Sequence, residues 1–201
     1  LSRLQDLGYE PQLRVLYACD FGVPQLRPRF VLVALLARFA SGFRWPLPNL
    51  ECSTVGETLY PQMSGRGWRG AAAWTLKANR IAPTIVGGSK KHGGPDLGPT
   101  RARQQWRQLG VDGCGIVDAP PSREDPEDLV PRLTVQMVAA LQGFPEEWRF
   151  SGAKTQAYRQ VGNAFPPPVA KSVGQSLNAA LTGARNAKAE LALFERRAVY
   201  A

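Results

Sequence analysis

Gln25, Arg27 and Arg29 stand two residues apart in the polar segment Asp20–Arg29, DFGVPQLRPR. Alternate residues of an extended chain point the same way, and Pro28 favours extended geometry at Arg27. One amide and two guanidiniums on one face form a rigid donor array suited to carbonyl and phosphate oxygens. The competing reading is a solvated turn with incidental arginines. A second dense stretch, Ala157–Val169 (AYRQVGNAFPPPV), runs Gly162-Asn163 into three prolines, Pro166 to Pro168. Gly162 can take a positive φ. Asn163 can close a tight turn or present its amide to a ligand. The prolines end what precedes them, and the last can open a helix. Apolar residues then return at helical spacing (Val169, Ala170, Val173, Leu177, Ala180, Leu181). This predicts a polar loop held between two helices; the plainer alternative is a proline-marked helix start.

Other elements must position these two stretches. Arg14–Ala18 reads as a short buried strand, and Phe30–Leu36, FVLVALL, as a central one. The polar connector between them suggests an antiparallel pair at the end of a sheet. Leu1–Gly8 has the rhythm of a last helical turn, with Leu1, Leu4 and Leu7 on one side and Gly8 as the stop, so an upstream portion is expected. Arg132–Leu141 is predicted as a helix with Thr134 as N-cap and Val135, Val138, Ala139 and Leu141 as its apolar set; Gly143 and Pro145 end it. Trp148 and Phe150 are expected to cover apolar surface between lobes. The tail, Lys171–Val199, is expected to be largely helical packing support, with charged breaks at Arg185, Lys188 and Glu190 and an interruption at Gly183.

The middle of the chain reads differently. The whole chain of 201 residues carries a formal charge of +9, a surplus that suggests a polyanionic partner. Between Leu59 and Val111 there are nine basic residues, Arg101 and Arg103 among them, against one acid, Asp96. Trp68, Trp74 and Trp106 are interleaved; the first two are expected in the core of a small lobe. Ala82–Pro99 is glycine-rich and contains Lys90, Lys91 and His92, so its backbone can approach another molecule closely; the alternative is an exposed basic loop. Val111–Glu127 turns acidic and proline-rich, as a solvated linker would. Cys19, Cys52 and Cys114 lie far apart, and a single histidine cannot complete a zinc set. No metal is expected. No apolar run approaches the roughly 20 residues that span a bilayer, no secretory signal is visible, and reduced, intracellular cysteines are the default.

Three segments together resemble one family. GVPQLRPRFVLVA (Gly22–Ala34), RLTVQMVAALQGFPEEW (Arg132–Trp148) and AYRQVGNAFPPPVAKSVG (Ala157–Gly174) are similar to the eighth, ninth and tenth conserved blocks of DNA (cytosine-5) methyltransferases, in the family's order. The resemblance implies an α/β fold: the end of an S-adenosylmethionine-dependent methyltransferase sheet domain, its last strands and carboxy-terminal helices, with a small target-recognition lobe inserted. On that scheme residues 1–39 are terminal strands of the catalytic domain, 40–130 the target-recognition domain and 131–201 a helical return. Duplex DNA would be the partner, met by Lys90, Lys91, His92, Arg101 and Arg103, in a bacterial cytoplasm.

The resemblance also assigns roles. Arg29 would reach the O2 of a flipped cytosine, with Arg27 assisting or binding an adjacent phosphate and Gln25 ordering the loop. Asn163, Gly162 and Gln160 would lie at the S-adenosylmethionine site. Ala164 stands where members often carry a hydroxyl, and Gln136 where they frequently carry glutamate. The family's nucleophile comes from a Pro-Cys block, yet Cys19, Cys52 and Cys114 follow Ala18, Glu51 and Gly113. Neither a Glu-Asn-Val nor an amino-terminal Phe-x-Gly-x-Gly occurs in the sequence. The expectation is the carboxy-terminal part of such an enzyme, inactive without a missing or separately encoded catalytic half and with an incomplete cofactor site. The alternatives are a non-catalytic DNA-binding specificity subunit or a truncated remnant.

Overall fold

The structure is a computed structural model and describes residues 1–49, 51–87 and 95–183. Lys90, Lys91 and His92, and the tail beyond Gly183, lie outside the described residues.

A short helix, α1 (Ser2–Asp6), turns at Gly8 into strand β1 (Tyr9–Tyr17), which pairs antiparallel with β2 (Pro28–Leu36) in a register running from Tyr9↔Leu36 to Tyr17↔Pro28. The antiparallel pair is as expected, but β1 begins at Tyr9 rather than Arg14. Pro11 is no obstacle because an edge strand tolerates a residue that cannot donate to a ladder. Nor is the strand simply buried. One face of the pair sends Leu16, Val33 and Leu35 into a core with Ala18, Phe21, Val23, Ala40 and Phe43. The opposite face leaves Leu13 57%, Phe30 78% and Leu32 48% exposed.

After α2 (Ala37–Ala40) the chain builds a helical middle: α3 (Val55–Ser64), α4 (Ala71–Lys77) and α5 (Thr100–Gln108). Helix α3 opens with a reciprocal capping box, in which Thr54 Oγ1 accepts from the Glu57 amide at 3.2 Å and a Glu57 carboxylate oxygen accepts from the Thr54 amide at 2.8 Å. Trp68 and Trp74 are buried, as expected of core residues, and their indole N–H groups donate to Pro126 and Gly110 carbonyls. Trp106, on α5, is fully buried with them.

The return path pairs β3 (Ile116–Val117) in parallel with β4 (Leu133–Thr134) before α6 (Val135–Leu141). Helix α6 therefore starts at Val135, not Arg132, because Leu133 and Thr134 belong to the ladder. Thr134 is its N-cap, accepting from the Met137 amide at 3.1 Å. Next come α7 (Lys154–Asn163) and α8 (Pro167–Thr182), the latter closed by Gly183 at φ 70°. Trp148 is 52% exposed and leans on Phe144, so it covers less apolar surface than expected; Phe150 packs edge-on against the same ring. The buried residues form two cores. One joins α3, α4, α5, α6 and α7. The other joins the β1–β2 pair to α8 through Val169, Val173 and Ala180.

Candidate functional site

The seam between the two cores is polar. Gln25 and Arg27, at 0% and 1% exposure, leave the β1–β2 connector and enter it. Gln25 works from both ends of its amide. Its oxygen accepts from the Ile85 amide at 2.7 Å, and its nitrogen donates to Gln142 Oε1 at 3.0 Å and Leu141 O at 3.4 Å. Gln142, also fully buried, passes the network on to Val161 O at 2.9 Å. Arg27 donates to the carbonyls of Gly162 at 2.7 Å and Ala164 at 3.1 Å, to Ile85 O, and to Gln25 Oε1 at 3.4 Å. A backbone ladder reinforces the junction: Leu26 N donates to Ala82 O and Ala82 N to Pro24 O, both at 2.8 Å.

Arg27 therefore meets backbone carbonyls here, where the resemblance has it assisting Arg29 or binding an adjacent phosphate. Its fixed fork satisfies several backbone acceptors at once, which an ammonium could not do. Burial lowers its pKa to about 10, and repulsion from Arg29 adds to this. Arg29 thus lies close to it and is partly exposed. One of its nitrogens donates to Pro28 O at 2.8 Å, and burial lowers its pKa too. Of the three alternating side chains, Gln25 and Arg27 are consumed inside and Arg29 is partly exposed.

Gly162 and Asn163 are the last residues of α7, not part of a loop, and Gly162 has no positive φ. The loop shrinks to Ala164–Pro166, and α8 opens on Pro167 rather than Pro168. Gly162 is required by distance instead: a Cβ there would lie 2.5 Å from the Cα of Gly87 and 2.6 Å from its nitrogen. Asn163 is exposed beside Gly87, with Phe165 37% exposed next to it. Gln160 donates to Ser151 O at 2.8 Å and so braces the start of α7. Arg101 is exposed on α5; Arg103 turns toward Thr100 Oγ1 and Cys114 Sγ.

Gln142 and Tyr158 were not singled out from the sequence. A glutamine closing an apolar helix and an aromatic one turn before Gly-Asn were the available signals. Tyr158 is fully buried, burial raises its pKa, and its hydroxyl donates to Asp96 O at 2.5 Å. Among the described residues no cluster suited to a metal ion occurs.

The geometry joins residues from three segments far apart in sequence, and comparison with known proteins places them in one family. The family model for C-5 cytosine-specific DNA methylase matches residues 1–179. The chain is 59% identical over 182 residues to the type II methyltransferase M.NaeI of Lentzea aerocolonigenes, an alignment covering 90% of this chain and 44% of that protein. It is 48% identical over 179 residues to M.NgoMIV of Neisseria gonorrhoeae, covering 87% of this chain and 56% of that protein. The chain thus spans about half the length of these curated relatives. Among solved structures, the S. pombe Dnmt2 methyltransferase superposes at a TM-score of 0.53 with 17% identity, over 90% of this chain and 61% of that one, a likeness of fold. Matched along nearly all of its described length, the chain belongs to the C-5 cytosine-specific DNA methylase family.

Proposed function

We propose that this chain is the carboxy-terminal part of a DNA (cytosine-5) methyltransferase, comprising the last strands and helices of the sheet domain and a target-recognition lobe. It works with an upstream half that supplies the nucleophilic thiol. The observation that carries this is the buried network itself. Gln25 and Arg27, Gln142, and Gly162–Ala164 come one from each of the three family-like segments, and Arg27 holds the two carbonyls that flank the exposed Asn163. The open apolar face of the β1–β2 pair supports the second half of the proposal: Leu13, Phe30 and Leu32 need a cover, and relatives about twice as long have a further half to provide it.

The chemistry asks particular things of this chain. A thiolate from the other half adds to C6 of a cytosine turned out of the duplex, and the electron pair moves to C5. S-adenosylmethionine supplies the methyl group. A base then removes the C5 proton, and the thiol leaves to restore the ring. Negative charge develops on the ring during addition, and Arg29 is assigned the role of meeting it at O2. Asn163 suits the amino-acid end of the cofactor, because its exposed amide stands at the end of α7. Ala164 adds no hydroxyl. Arg101, Arg103 and the segment holding Lys90, Lys91 and His92 face the duplex.

Reconstitution tests the proposal. This chain is produced with the upstream half of a relative such as M.NaeI, and tritium transfer from labelled S-adenosylmethionine into duplex DNA is measured. Neither half alone should transfer; the pair should. Transfer by the highly purified chain alone would overturn the need for a second half. An assembled pair that neither binds duplex DNA nor transfers methyl would overturn the reading as a whole.

A further inference from the structure

We infer that Arg27 is a positioning residue for the methyl-donor side of the site: by holding the carbonyls of Gly162 and Ala164 it sets the exposed amide of Asn163 that stands between them. The inference deepens the proposed function and rests on its reading of Asn163 as cofactor-facing.

The sequence leaves this helix end short of donors. The last carbonyls of a helix have no partner within it, and a carbonyl could next look to the N–H four residues on. For Gly162 and Ala164 those residues are Pro166 and Pro168, which have no N–H. A side chain from another part of the chain supplies the donors instead. One nitrogen of Arg27, Nη2, donates to Gly162 O at 2.7 Å and to Ala164 O at 3.1 Å. Its neighbour Nη1 is committed to Ile85 O and to Gln25 Oε1.

The Gly162 carbonyl belongs to the peptide unit that enters Asn163, and Ala164 is where the chain leaves α7. With both carbonyls tied to one nitrogen, the backbone of Asn163 has little freedom, and so the direction of its side chain is set. Arg27 can act as the fixed point because it is itself fixed. It is 1% exposed, and its own carbonyl accepts from the Ala18 amide at 3.0 Å, where the connector meets β2. Arg29 follows two residues later on that strand. The same short stretch therefore carries the donor assigned to the base and the clamp on the residue assigned to the cofactor. Arg27 touches neither base nor cofactor in this scheme; it keeps the two sides in register.

The reconstituted pair carries the test, through calorimetric binding of S-adenosylhomocysteine and of a mixed-sequence DNA duplex. Asn163→Ala should weaken S-adenosylhomocysteine binding about fivefold to tenfold, the scale of one net hydrogen bond. Arg27→Lys, whose ammonium cannot span the same acceptors, should weaken it by a similar factor and leave duplex affinity unchanged. The double variant should be no worse than the weaker single one, because Arg27 acts through Asn163 and the losses do not add. Losses that multiply in the double variant, an equal loss of duplex affinity, or normal S-adenosylhomocysteine binding in Arg27→Lys alone overturn the positioning role and leave the proposed function standing. Normal binding in Asn163→Ala overturns the cofactor-facing reading of Asn163, and the inference with it. Should Arg27→Lys fail to fold, NMR of the wild-type pair labelled with nitrogen-15 arginine decides. S-adenosylhomocysteine should slow hydrogen exchange at the Arg27 Nη protons, and exchange that the ligand does not alter overturns the inference.

Discussion

The two cores of this chain are finished to different degrees. The core built from α3 to α7 encloses its large residues: Leu59, Met63, Trp106, Leu133 and Tyr158 are fully buried, and Trp68 and Trp74 nearly so. The β1–β2 core is covered on one face by α8 and bare on the other, where Phe30 alone is 78% exposed. Apolar area removed from water contributes roughly 25 cal/mol per Å², so the first core draws on its large residues in full whereas the second leaves the area of Leu13, Phe30 and Leu32 largely unused. An exposed apolar sheet face invites a partner. The difference teaches where the chain is self-sufficient and where it awaits another surface. The Gln25–Arg27–Gln142 network is the seam between them.

The largest effect should come from the finished core. Trp106→Ala deletes a fully buried indole whose surroundings cannot collapse completely, and such deletions cost about 3–5 kcal/mol. Urea unfolding followed by circular dichroism should show the midpoint fall accordingly. An unchanged midpoint would mean that this core is no better closed than the other.

At the seam, Arg27→Met keeps much of the side chain's volume but strands the carbonyls of Ile85, Gly162 and Ala164. Removing a buried positive charge offsets part of the loss, since Arg27 has only neutral acceptors around it. Each buried group left without a partner costs about 1–3 kcal/mol, so a net loss of about 3 kcal/mol is expected in the same assay. Arg27→Lys should be nearly as damaging, because one ammonium cannot span the acceptors. A loss under about 1 kcal/mol, within one ordinary hydrogen bond, would show that the two cores hold together without this network.

Arg29 sharpens the comparison two residues along. It is partly exposed, so Arg29→Ala should change the thermal midpoint and duplex affinity little. In the reconstituted enzyme it should slow single-turnover methylation at least about tenfold, equivalent to about 1.4 kcal/mol. Unchanged single-turnover methylation, or a loss wholly explained by unfolding or weak DNA binding, would remove Arg29 from the chemistry.

How much of this was legible in the sequence depends on how far each residue's reason lies from it. The β1–β2 pairing follows from two apolar runs around a polar connector, and the Thr134 cap from a hydroxyl three residues before the amide that it accepts from. Trp68 and Trp74 in the core were equally readable from aromatic size. Gly162 was misjudged because local chemistry offers a left-handed turn as a glycine's usual purpose. Its actual reason is Gly87, 75 residues away, and no local pattern encodes that approach. Arg27's carbonyl partners were out of reach of the sequence for a similar reason. A guanidinium's five donors suit phosphate and backbone carbonyls alike, and only the folded chain shows which acceptors arrive. Nor could spacing show that Arg27 would hold the carbonyls on either side of Asn163.

The smallest expected effect lies on the finished core's surface, at the pair of Asp112 with Arg132. Arg132 Nε donates to Asp112 Oδ2 at 2.7 Å, and the other carboxylate oxygen accepts from the Cys114 amide at 3.0 Å. Partial burial works to raise the Asp112 pKa, but these bonds and the nearby guanidinium outweigh it and hold the carboxyl below its ordinary 3.8. A carboxylate whose folded pKa is depressed contributes stability that is fully present above the unfolded value. That contribution is lost as pH falls through 3.8 toward the folded value. Because the Arg132 side chain is about half exposed, at 47%, solvent screens the attraction and the contribution is below about 1 kcal/mol. Asp112→Asn should therefore lower the urea midpoint slightly at pH 7, and the gap from wild type should close as the pH drops below 3.8. The pair also ties the residue after Val111 to the start of β4, where the middle of the chain returns to α6, so a gap much larger than 1 kcal/mol would mean that this closure, rather than the enclosed tryptophans, holds the finished core together. A gap that persisted unchanged at low pH would instead show that the asparagine disturbs the Cys114 turn, leaving the ion pair without a measurable share.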